Sequence, residues 1–484
     1  MPLTWAGILA ELRRGDLLAS APADGPPLSG LSVDSRTIQR QMLYLAVRGS
    51  QADGHRFIPD AVRRGAAAVL VESAQSSGLP EIVVRDSQQA ALLLGSSWYG
   101  HPARSLTLVG VTGTNGKTTT TGLIRHLLNE NSAAGSIGTL GAFDGRGDAI
   151  PSTAGSLTTP GPIDLQATLA SMRERGVTHV VMEASSHSLD QRRLDGLTFA
   201  AGVFTNLTRD HLDYHGTMEA YLCSKLRLSS LLGLNGIEIV NLDDDTWRAM
   251  PVHSPRVTFG LHQAADVRAT AQVLDAAGSR FQLSGRFGSA EVMLPLLGDF
   301  NVANALAAAA TGLALGLPLG SVSQRLSMAP QVPGRMERIS DTPCIVLRDY
   351  AHTPDALERA LTSLRPLTAG RLIVVFGCGG DRDRGKRSIM GRIAVERAHL
   401  AIVTSDNPRT ENPDAIIDDV EQGMGSAPHL RITDRLVAIR TALNEARSGD
   451  TILLAGKGHE TYQVIGTEKL HFDEREIVQD LVSG

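Results

Sequence analysis

The sequence has little cysteine and no long apolar run, and each absence excludes a class of protein. Three cysteines in 484 residues cannot build a disulfide framework and show no zinc-binding spacing, which fits a reducing compartment. The most apolar stretch, residues 302–319, contains polar residues, glycines and a proline, so it predicts an alanine-rich packed helix rather than a membrane span. No signal peptide is recognisable. We therefore expect a cytoplasmic protein without membrane insertion.

The composition also lacks an excess of either charge. The net charge is −5, with 20% charged and 42% hydrophobic residues, values typical of a folded globular protein. A mildly acidic chain of this kind disfavours general nucleic-acid binding, so any anionic substrate must be held by local basic clusters. The length predicts about two to four domains.

The most informative segment that is present is residues 110–119, Gly-Val-Thr-Gly-Thr-Asn-Gly-Lys-Thr-Thr. It lies between an apolar strand pattern and a helical pattern. Glycines allow backbone N–H groups to face an anion, and a helix N-terminus adds partial positive charge. Lys117 can reach the outer phosphates and Thr118 can bind Mg²⁺, so the segment predicts a nucleoside triphosphate site. The general pattern has glycine where Val111 stands, and the competing interpretation is a glycine turn with a surface lysine.

Strand and helix patterns alternate in three blocks, which predicts an α/β fold with a doubly wound parallel sheet in the centre. We place the domains at residues 1–102, 103–337 and 338–484, with a turn-rich hinge candidate at 330–334. Strands are predicted at 42–47, 68–71, 81–84, 178–182, 202–205, 236–240, 344–347, 371–376, 400–404 and 451–455. A nicotinamide site is not expected, because Arg382 stands where a dinucleotide fingerprint needs its third glycine.

Several residues that can carry chemistry directly follow predicted strands. Ligands bind at the carboxyl ends of parallel strands, so Glu183, Asp210 and His211 can converge with Lys117 and Thr118 on one metal–phosphate centre. Taken alone, Glu183 is equally well a helix-capping carboxylate, and His211 is more often a structural histidine.

Three polar loops follow predicted strands of the third block. Residues 382–387 contain four basic side chains, residues 405–409 read Ser-Asp-Asn-Pro-Arg, and residues 456–460 read Gly-Lys-Gly-His-Glu. Guanidinium groups bind carboxylates bidentately, so the basic loop is a candidate for carboxylate recognition. The alternatives are a solvated charged face for the first loop and turn chemistry for the second.

Eight motifs along the chain form one recognisable set. The first is Thr-Gly-Thr-Asn-Gly-Lys-Thr-Thr at 112–119; the others lie at 182–187, 210–215, 299–304, 333–335, 349–354, 377–382 and 406–409. Their number and order are far more specific than any single motif. Over nearly its whole length the chain resembles the bacterial Mur ligases, whose form of the phosphate loop also accounts for Val111.

The resemblance implies three domains that hold, in order, a uridine nucleotide, ATP and, in a Rossmann-like fold, the incoming amino acid. It implies a cytoplasmic monomer that forms an amide in peptidoglycan precursor synthesis, and so serves cell wall biogenesis, cell shape and cell division. The D-glutamate carboxylate of UDP-N-acetylmuramoyl-L-alanyl-D-glutamate would attack ATP to give an acyl phosphate. The amine of meso-2,6-diaminopimelate would then displace phosphate. Lys117 and Mg²⁺ would screen the approaching anions.

Carried over by position, the resemblance implies catalytic roles for Lys117, Glu183, His211 and Lys225. Thr118, Glu183 and His211 match metal ligands, and Lys225 matches a lysine that such ligases carbamylate to a carboxylate-like metal ligand. Without the resemblance, Lys225 is best interpreted as a helix lysine extended along apolar surface. The positions matched to ATP binding are Gly113, Thr114, Asn115, Gly116, Lys117, Thr118, Thr119, Asn301, Arg335 and Asp349.

Two further sets match the sites for the nucleotide-sugar peptide and for diaminopimelate. The first set is Val33, Ser35, Ser50, Gln51, Ala52, Leu157, Thr158, Thr159, Ser185, Gln191 and Arg193. Leu157 stands where the family can carry asparagine, so a backbone contact is expected there. The second set is Arg382, Asp406, Asn407, Pro408, Arg409, Gly456 and Glu460.

Arg409 decides which amino acid we expect. Diaminopimelate has a second amino-acid head, whose carboxylate can pair with Arg409 and whose ammonium can pair with Glu460. Lysine lacks that carboxylate, and a site built to bind a polar group rejects an analogue that lacks the group. The lysine-adding members of the family lack this arginine. The alternatives are an L-lysine-adding ligase and, more remotely, a folylpolyglutamate synthetase-like ligase. A phosphate-loop switch protein would need a guanine-reading motif, which we do not find.

Overall fold

The computed structural model describes residues 3–49, 52–151 and 157–483, in which strands and helices form three sheet-containing regions. The predicted α/β class with a central parallel sheet is confirmed. The chain forms two compact units, Met1–Arg268 with Gly285–Phe287 and Leu306–Pro318, and Ala269–Ser284 with Gly288–Ala305 and Leu319–Gly484. The domain limits placed at 102 and 337 stay a prediction.

The first unit begins with a five-stranded sheet. The strands in sheet order are Leu18–Ser20, Glu81–Val84, Ala68–Val71, Met42–Leu45 and Gly30–Ser32, and the helices are Trp5–Arg14, Ile58–Arg63 and Ser87–Trp98. Three of these strands were predicted, although the one expected at 42–47 ends at Leu45. Asp86 caps the last helix by accepting a hydrogen bond from Gln89 N (2.8 Å), which satisfies one otherwise unpaired helix-end donor.

The larger sheet of the first unit positions the phosphate loop. Thr107–Thr112 lies between Phe199–Phe204 and His179–Glu183 and is parallel to both. Seven consecutive strands of this sheet are, in sheet order, Arg256–Gly260, Leu232–Asn241, Phe199–Phe204, Thr107–Thr112, His179–Glu183, Ala134–Gly138 and Gly141–Phe143. The helices are Lys117–Leu128, Pro162–Glu174, Ser186–Asp190, Leu212–His215, Met218–Ser230 and Asp245–Arg248. The central strands are buried along their length, as expected for a parallel sheet covered on both faces.

The second unit contains a six-stranded sheet with apolar cores on both faces. Its strands in sheet order are Glu337–Ser340, Ile345–Asp349, Thr451–Ala455, Leu372–Phe376, Leu400–Val403 and Leu430–Arg431, and all neighbours except the first pair are parallel. An antiparallel hairpin of Tyr462–Ile465 and Glu468–His471 follows. The helices are Leu319–Ser327, Pro354–Leu364, Gly385–Arg397, Pro413–Glu421, Arg435–Glu445 and Glu474–Ser483. The four strands predicted for this sheet all form.

Among the strands that were not predicted are three consecutive ones, Val267–Asp275, Gly278–Gly285 and Gly288–Leu294. Their apolar residues alternate with polar ones because one side is exposed, so they form no apolar run. The apolar stretch at 302–319 does contain a helix, Asp299–Ala314, and the chain turns at Gly316 with a φ of 95°. Among the described residues, no helix is both long and apolar enough to cross a membrane.

Candidate active site

The phosphate loop turns sharply between the strand Thr107–Thr112 and the helix Lys117–Leu128. Gly113 and Gly116 have φ values of 145° and 83°, which residues with a Cβ rarely adopt. A Cβ on Gly113 would also collide with the Thr205 hydroxyl. The turn therefore requires glycine, and it opens onto a helix N-terminus, a feature that favours anions.

The same loop is anchored by the segment that follows a neighbouring strand. Asn206 Oδ1 accepts a hydrogen bond from Asn115 N (2.9 Å), and Asn206 Nδ2 donates to Asn115 O (3.1 Å). Thr205 Oγ1 donates to Asn115 O (2.7 Å), and Thr114 Oγ1 accepts from Thr208 N (2.9 Å). These bonds hold the loop in one conformation, so little ordering remains to be done when an anion binds.

Two lysines meet at one carbonyl oxygen of the loop. Lys117 Nζ donates to Gly113 O (2.9 Å) and Thr114 O (2.8 Å), and Lys225 Nζ donates to Gly113 O (2.7 Å). Lys225 is 1% exposed. Burial and the charge of Lys117 lower the pKa of Lys225 well below its ordinary range, and Asp210 opposes this only in part. Burial therefore shifts Lys225 towards the neutral amine, which is the nucleophilic form of lysine.

His211 and Lys225 approach the same tyrosine. The His211 ring centroid lies 6.1 Å from that of Tyr221, and Lys225 Nζ lies 4.4 Å from the same ring. The His187 ring centroid lies 4.9 Å from that of His211. Burial lowers the pKa of His187 to about 4 and also lowers that of His211, which Asp210 partly opposes. Burial thus shifts both histidines towards the neutral form, which is the form that can bind a metal.

Glu183 ends the strand beside the phosphate-loop strand and is 2% exposed. Its carboxylate accepts hydrogen bonds from Thr139 N (2.9 Å) and Thr139 Oγ1 (3.1 Å). A Cβ on Gly138 would lie 2.8 Å from Glu183 Cδ, so this glycine makes room for the carboxylate. Within the part of the chain that the structure describes, Glu183 forms no ion pair, and a buried carboxylate without a cation is costly.

These residues fit a magnesium ion. No group of three or more His, Cys, Asp or Glu among the described residues is arranged to hold a metal. Mg²⁺ needs fewer protein ligands, because one or two carboxylates with hydroxyls, phosphates and water complete its shell. Thr118 is buried in the first turn of the phosphate-loop helix, and Glu183 lacks a cation. An oxygen-rich donor set of this kind suits Mg²⁺ better than a softer metal.

A chain of hydrogen bonds joins four residues predicted to contact the nucleotide-sugar peptide. Thr159 Oγ1 donates to Glu183 O (2.8 Å) and to Ser185 Oγ (3.3 Å). Arg193 donates to Thr159 O (2.9 Å) and to Gln191 Oε1 (3.0 Å from Nε). The structure therefore brings this set next to Glu183, at the same edge of the sheet.

The other residues predicted for that site are more dispersed. Leu157 is exposed, and Thr158 Oγ1 lies 3.3 Å from Thr139 Oγ1. Ser35 is buried in a short turn capped by its neighbour. Val33 and Ala52 also belong to the N-terminal region, whereas Ser50 and Gln51 lie outside the described residues. Gln88 in the N-terminal region donates to Gln191 O, so the region contacts the loop that carries Gln191.

Three residues predicted for ATP binding lie in the second unit. Asp349 Oδ2 accepts from Met336 N (2.7 Å), and burial raises the pKa of Asp349 although Arg335 opposes this. The Arg335 guanidinium lies 4.7 Å from the Tyr350 ring. Asn301 Nδ2 donates to a backbone carbonyl of the preceding turn (2.7 Å). The phosphate loop belongs to the first unit, so the ATP-binding role of these three residues stays a prediction.

Arg409 is fixed by its backbone, and its guanidinium lacks a carboxylate partner among the described residues. Arg409 N donates to Val464 O (3.1 Å), and Arg409 O accepts from Gly466 N (2.8 Å). The guanidinium donates only to backbone oxygens, with Gly380 O at 2.8 Å from Nη1. A Cβ on Gly379 would lie 2.9 Å from Nη1. The loop thus holds in place a guanidinium that can still form an ion pair with a carboxylate of a bound substrate.

The basic loop separates into paired and unpaired side chains. Arg384 and the buried Arg387 form ion pairs with Glu411 (2.9 and 2.8 Å), and these contacts lower the pKa of Glu411 to about 2, led by Arg387. Lys386 donates to a backbone carbonyl (2.8 Å). Arg382 is exposed and forms no hydrogen bond or ion pair within the described ranges. The loop is therefore not a uniformly solvated charged face, because Arg387 is buried and paired, and its role in carboxylate recognition stays a prediction.

Two carboxylates share the surroundings of Arg409. Asp406 is buried, and a Cβ on Gly456 would lie 2.6 Å from Asp406 Oδ2. Asn407 Nδ2 donates to Glu460 Oε2 (2.8 Å). Burial and the Glu460 charge raise the pKa of Tyr462, Arg409 opposes this, and Asp406 adds to the increase. The charges of two carboxylates and one guanidinium therefore act on the Tyr462 phenol. Together these three groups can hold an ammonium and a carboxylate.

Sequence reasoning missed Thr139, Gly138, Lys457 and the hairpin at 462–471. Thr139 lies in no motif, and only the fold brings it to Glu183. Lys457 lies inside a loop that was identified, but burial of a single lysine cannot be seen in the sequence. The hairpin gave no signal, because its strands are short, have no buried residue, and in Glu468–His471 are exposed throughout.

Comparison with known proteins gives matches along the chain. Residues 27–100 match the family model described as Mur ligase family, catalytic domain. Residues 111–312 match the Mur ligase middle domain, and residues 334–458 match the Mur ligase, glutamate ligase domain.

Individual proteins match over nearly the full length. A UDP-N-acetylmuramoyl-L-alanyl-D-glutamate–2,6-diaminopimelate ligase from Gloeobacter violaceus is 46% identical, covering 98% of this chain and 99% of its own. The ligase of that name from Geobacillus kaustophilus is 43% identical, covering 94% and 95%. A solved structure of a ligase with the same name is 33% identical, with a TM-score of 0.68 and coverage of 100% and 99%.

Proposed function

The chain belongs to the Mur ligase family, and from this we propose its function. The protein is an ATP-dependent ligase that joins meso-2,6-diaminopimelate to the D-glutamate of UDP-N-acetylmuramoyl-L-alanyl-D-glutamate. It acts in cytoplasmic peptidoglycan precursor synthesis, as a monomer.

One observation carries the choice of amino acid. Arg409 and Arg382 have no carboxylate partner among the described residues, while Arg384 and Arg387 next to them are paired. Asp406 and Glu460 supply the opposite charge. Diaminopimelate brings a carboxylate for the arginines and an ammonium for the acids. Lysine would leave the guanidiniums unpaired, which argues against the lysine-adding alternative.

The first half of the reaction makes the acceptor carboxylate reactive. The D-glutamate carboxylate attacks the γ-phosphate of ATP, the bond from the γ-phosphorus to the bridging oxygen breaks, and ADP leaves. Both partners are anionic, so the ammonium of Lys117 next to the loop screens their repulsion. The fixed loop and the helix N-terminus hold the phosphates, through Gly113, Thr114, Asn115, Gly116, Lys117, Thr118 and Thr119.

Thr118, Glu183 and His211 are the residues that would hold Mg²⁺, with Lys225 as a further ligand once carbamylated. The ion supplies positive charge that stabilises the transferring phosphoryl group. In carbamylation a neutral amine attacks carbon dioxide and loses one proton, and Lys225 suits this step because burial shifts its amine towards the neutral form. The resulting carbamate would be anionic, and the neighbouring Lys117 would stabilise it.

In the second half, the amine of diaminopimelate attacks the acyl phosphate and inorganic phosphate leaves. The amine loses one proton in this step, and the product is an amide. Thr158, Thr159, Ser185, Gln191 and Arg193 orient the acceptor, together with the N-terminal residues predicted for the uridine nucleotide. An acyl phosphate hydrolyses in water, and orientation by these residues favours attack by the amine over attack by water.

The test measures phosphate release from ATP with the acceptor, adding meso-diaminopimelate, L-lysine or neither. Release with diaminopimelate alone, together with a tripeptide product by mass spectrometry, supports the proposal. Release with lysine instead contradicts the assigned specificity. No release with either, but release with a folate and glutamate, would favour the folate-type ligase.

A further inference from the structure

Lys457 is a buried lysine for which the reaction above has no use. It follows Gly456 at the end of the strand Thr451–Ala455, and its side chain is 0% exposed. Taking an ammonium group out of water is costly unless partners replace the lost hydration. The groups around its Nζ should therefore explain why a lysine stands here.

The partners of Lys457 include two residues of the predicted diaminopimelate site. Asn407 Oδ1 and Glu460 Oε2 each lie 3.3 Å from its Nζ. The rings of Tyr462 and Phe472 lie at 5.8 and 5.9 Å from Nζ, at the outer range of cation–π attraction. The ammonium group is thus directed at the amide and the carboxylate.

Lys457 helps to decide which way the Asn407 amide points. Asn407 Oδ1 faces two donors, Lys457 Nζ and Val464 N (2.9 Å), so it must be the oxygen. The amide nitrogen then faces Glu460 Oε2 at 2.8 Å. Oε2 of Glu460 receives two donors, whereas Oε1 receives none from the described residues. The unoccupied oxygen is the one that can accept from a bound ammonium.

We propose that Lys457 is a positioning residue for amino-acid specificity, which holds the Glu460 carboxylate in an orientation in which its Oε1 receives the ammonium of the added amino acid. This inference rests on the proposed function and deepens it at the same site. Without the lysine, Glu460 Oε2 would keep only the Asn407 amide as a donor, so its carboxylate would be held less firmly. The Asn407 amide would also lose a donor that fixes its orientation.

The test is the substitution Lys457→Met in the full chain, which removes the ammonium and keeps the length of the side chain. Phosphate release is measured at saturating ATP and acceptor with meso-diaminopimelate varied, and then with ATP varied. We expect the KM for diaminopimelate to rise roughly tenfold, the scale of one lost hydrogen bond to a charged group. The KM for ATP and the kcat at saturation should change by less than about twofold, because Lys457 touches no reacting atom.

Glu460→Gln, alone and combined with Lys457→Met, shows whether the lysine acts through this carboxylate. We expect the double variant to have the same KM for diaminopimelate as Glu460→Gln, because the two changes act on one interaction. Lys469→Met is the matched control, since Lys469 Nζ lies 4.2 Å from the same Tyr462 ring but contacts neither Asn407 nor Glu460. Its kinetics should equal those of the unsubstituted protein.

The outcomes separate this inference from the proposed function. An unchanged KM for diaminopimelate in a folded Lys457→Met variant, beside an active unsubstituted protein, would overturn the role of Lys457 alone. Equal losses in kcat and in both KM values would make Lys457 a general structural residue and would also overturn it. No diaminopimelate-dependent release from the unsubstituted protein would overturn the proposed function itself. If Lys457→Met shows no cooperative thermal unfolding, Lys457→Gln, which removes the charge but keeps a donor, is judged by the same criteria.

Discussion

Removing the guanidinium of Arg409 should selectively weaken the use of diaminopimelate. In Arg409→Met the aliphatic part of the side chain remains, and only the charged group and its donors are lost. A hydrogen bond to a charged group contributes about 1.5–3 kcal/mol, and about 1.4 kcal/mol is tenfold. We therefore expect kcat/KM for diaminopimelate to fall by roughly ten- to a hundredfold. The value for L-lysine, which has no distal carboxylate, should change by less than about twofold.

The geometry makes this a clean substitution. The Arg409 backbone is held on both sides, by Val464 O and Gly466 N, so the loop does not depend on the side chain. Arg409 has a φ of 51°, and methionine carries the same backbone strain as arginine there because both have a Cβ. Arg384→Met is the matched control, since Arg384 is a surface arginine of the neighbouring loop that is already paired with Glu411.

The assay is phosphate release with each amino acid in turn, accompanied by nucleotide binding measured by calorimetry. Equal losses with diaminopimelate and with lysine would refute the assignment of Arg409 to the distal carboxylate. A loss of ATP binding in Arg409→Met would refute it as well. An effect of Arg384→Met as large as that of Arg409→Met would show that the whole basic surface acts, not a single guanidinium.

Three other substitutions test the local structure. Gly138→Ala should displace the Glu183 carboxylate and lower phosphate release by about a hundredfold, with unaltered folding by circular dichroism. Arg387 lowers the pKa of Glu411 in the folded chain to about 2, against an ordinary value of 4.5. The ion pair therefore contributes stability above pH 4.5 that is lost as the pH falls towards 2. The Glu411→Gln variant should be less stable at neutral pH, but it should lose less stability on acidification. Arg435→Met should cost about 3–5 kcal/mol in urea unfolding, because it leaves the partner carboxylate of a fully buried ion pair uncompensated.

Each of these has a control with the same chemistry in a different environment. Gly320→Ala adds a methyl group where no atom lies within 4 Å, so phosphate release should not change. Glu396→Gln and Arg392→Met remove the two members of an exposed helix pair, which should cost less than about 1 kcal/mol each. A Gly138→Ala variant with full activity would contradict the placement of Glu183, and a pH profile unaffected by Glu411→Gln would contradict the ion-pair account.

The sequence predicted the parallel strands well because their residues are fully buried. Thr451–Ala455 and Ala68–Val71 appear where their apolar runs stand, since a strand covered on both faces shows no alternation. The phosphate loop was equally predictable, because the requirement for glycine at Gly113 and Gly116 arises within the loop itself. Thr139 could not be found, because its bond to the Glu183 carboxylate depends on which strands are neighbours in the sheet.

The predicted amino-acid site shows most clearly what a motif leaves out. The Asp-Asn-Pro-Arg loop was identified from its residues, yet its conformation depends on the hairpin some fifty residues later. In that hairpin, Val464 N donates to Asn407 Oδ1 (2.9 Å), and Gln463 Nε2 donates to Asp406 O (2.6 Å). The hairpin carries no side chain that we assign to the substrate, and its own strands are partly exposed. Specificity for the added amino acid should therefore be sensitive to changes that destabilise this hairpin, because the motif alone cannot hold Arg409 in its left-handed conformation. The residues that bind and the residues that hold them in place are separate in the sequence, and only the first group has a recognisable chemical pattern.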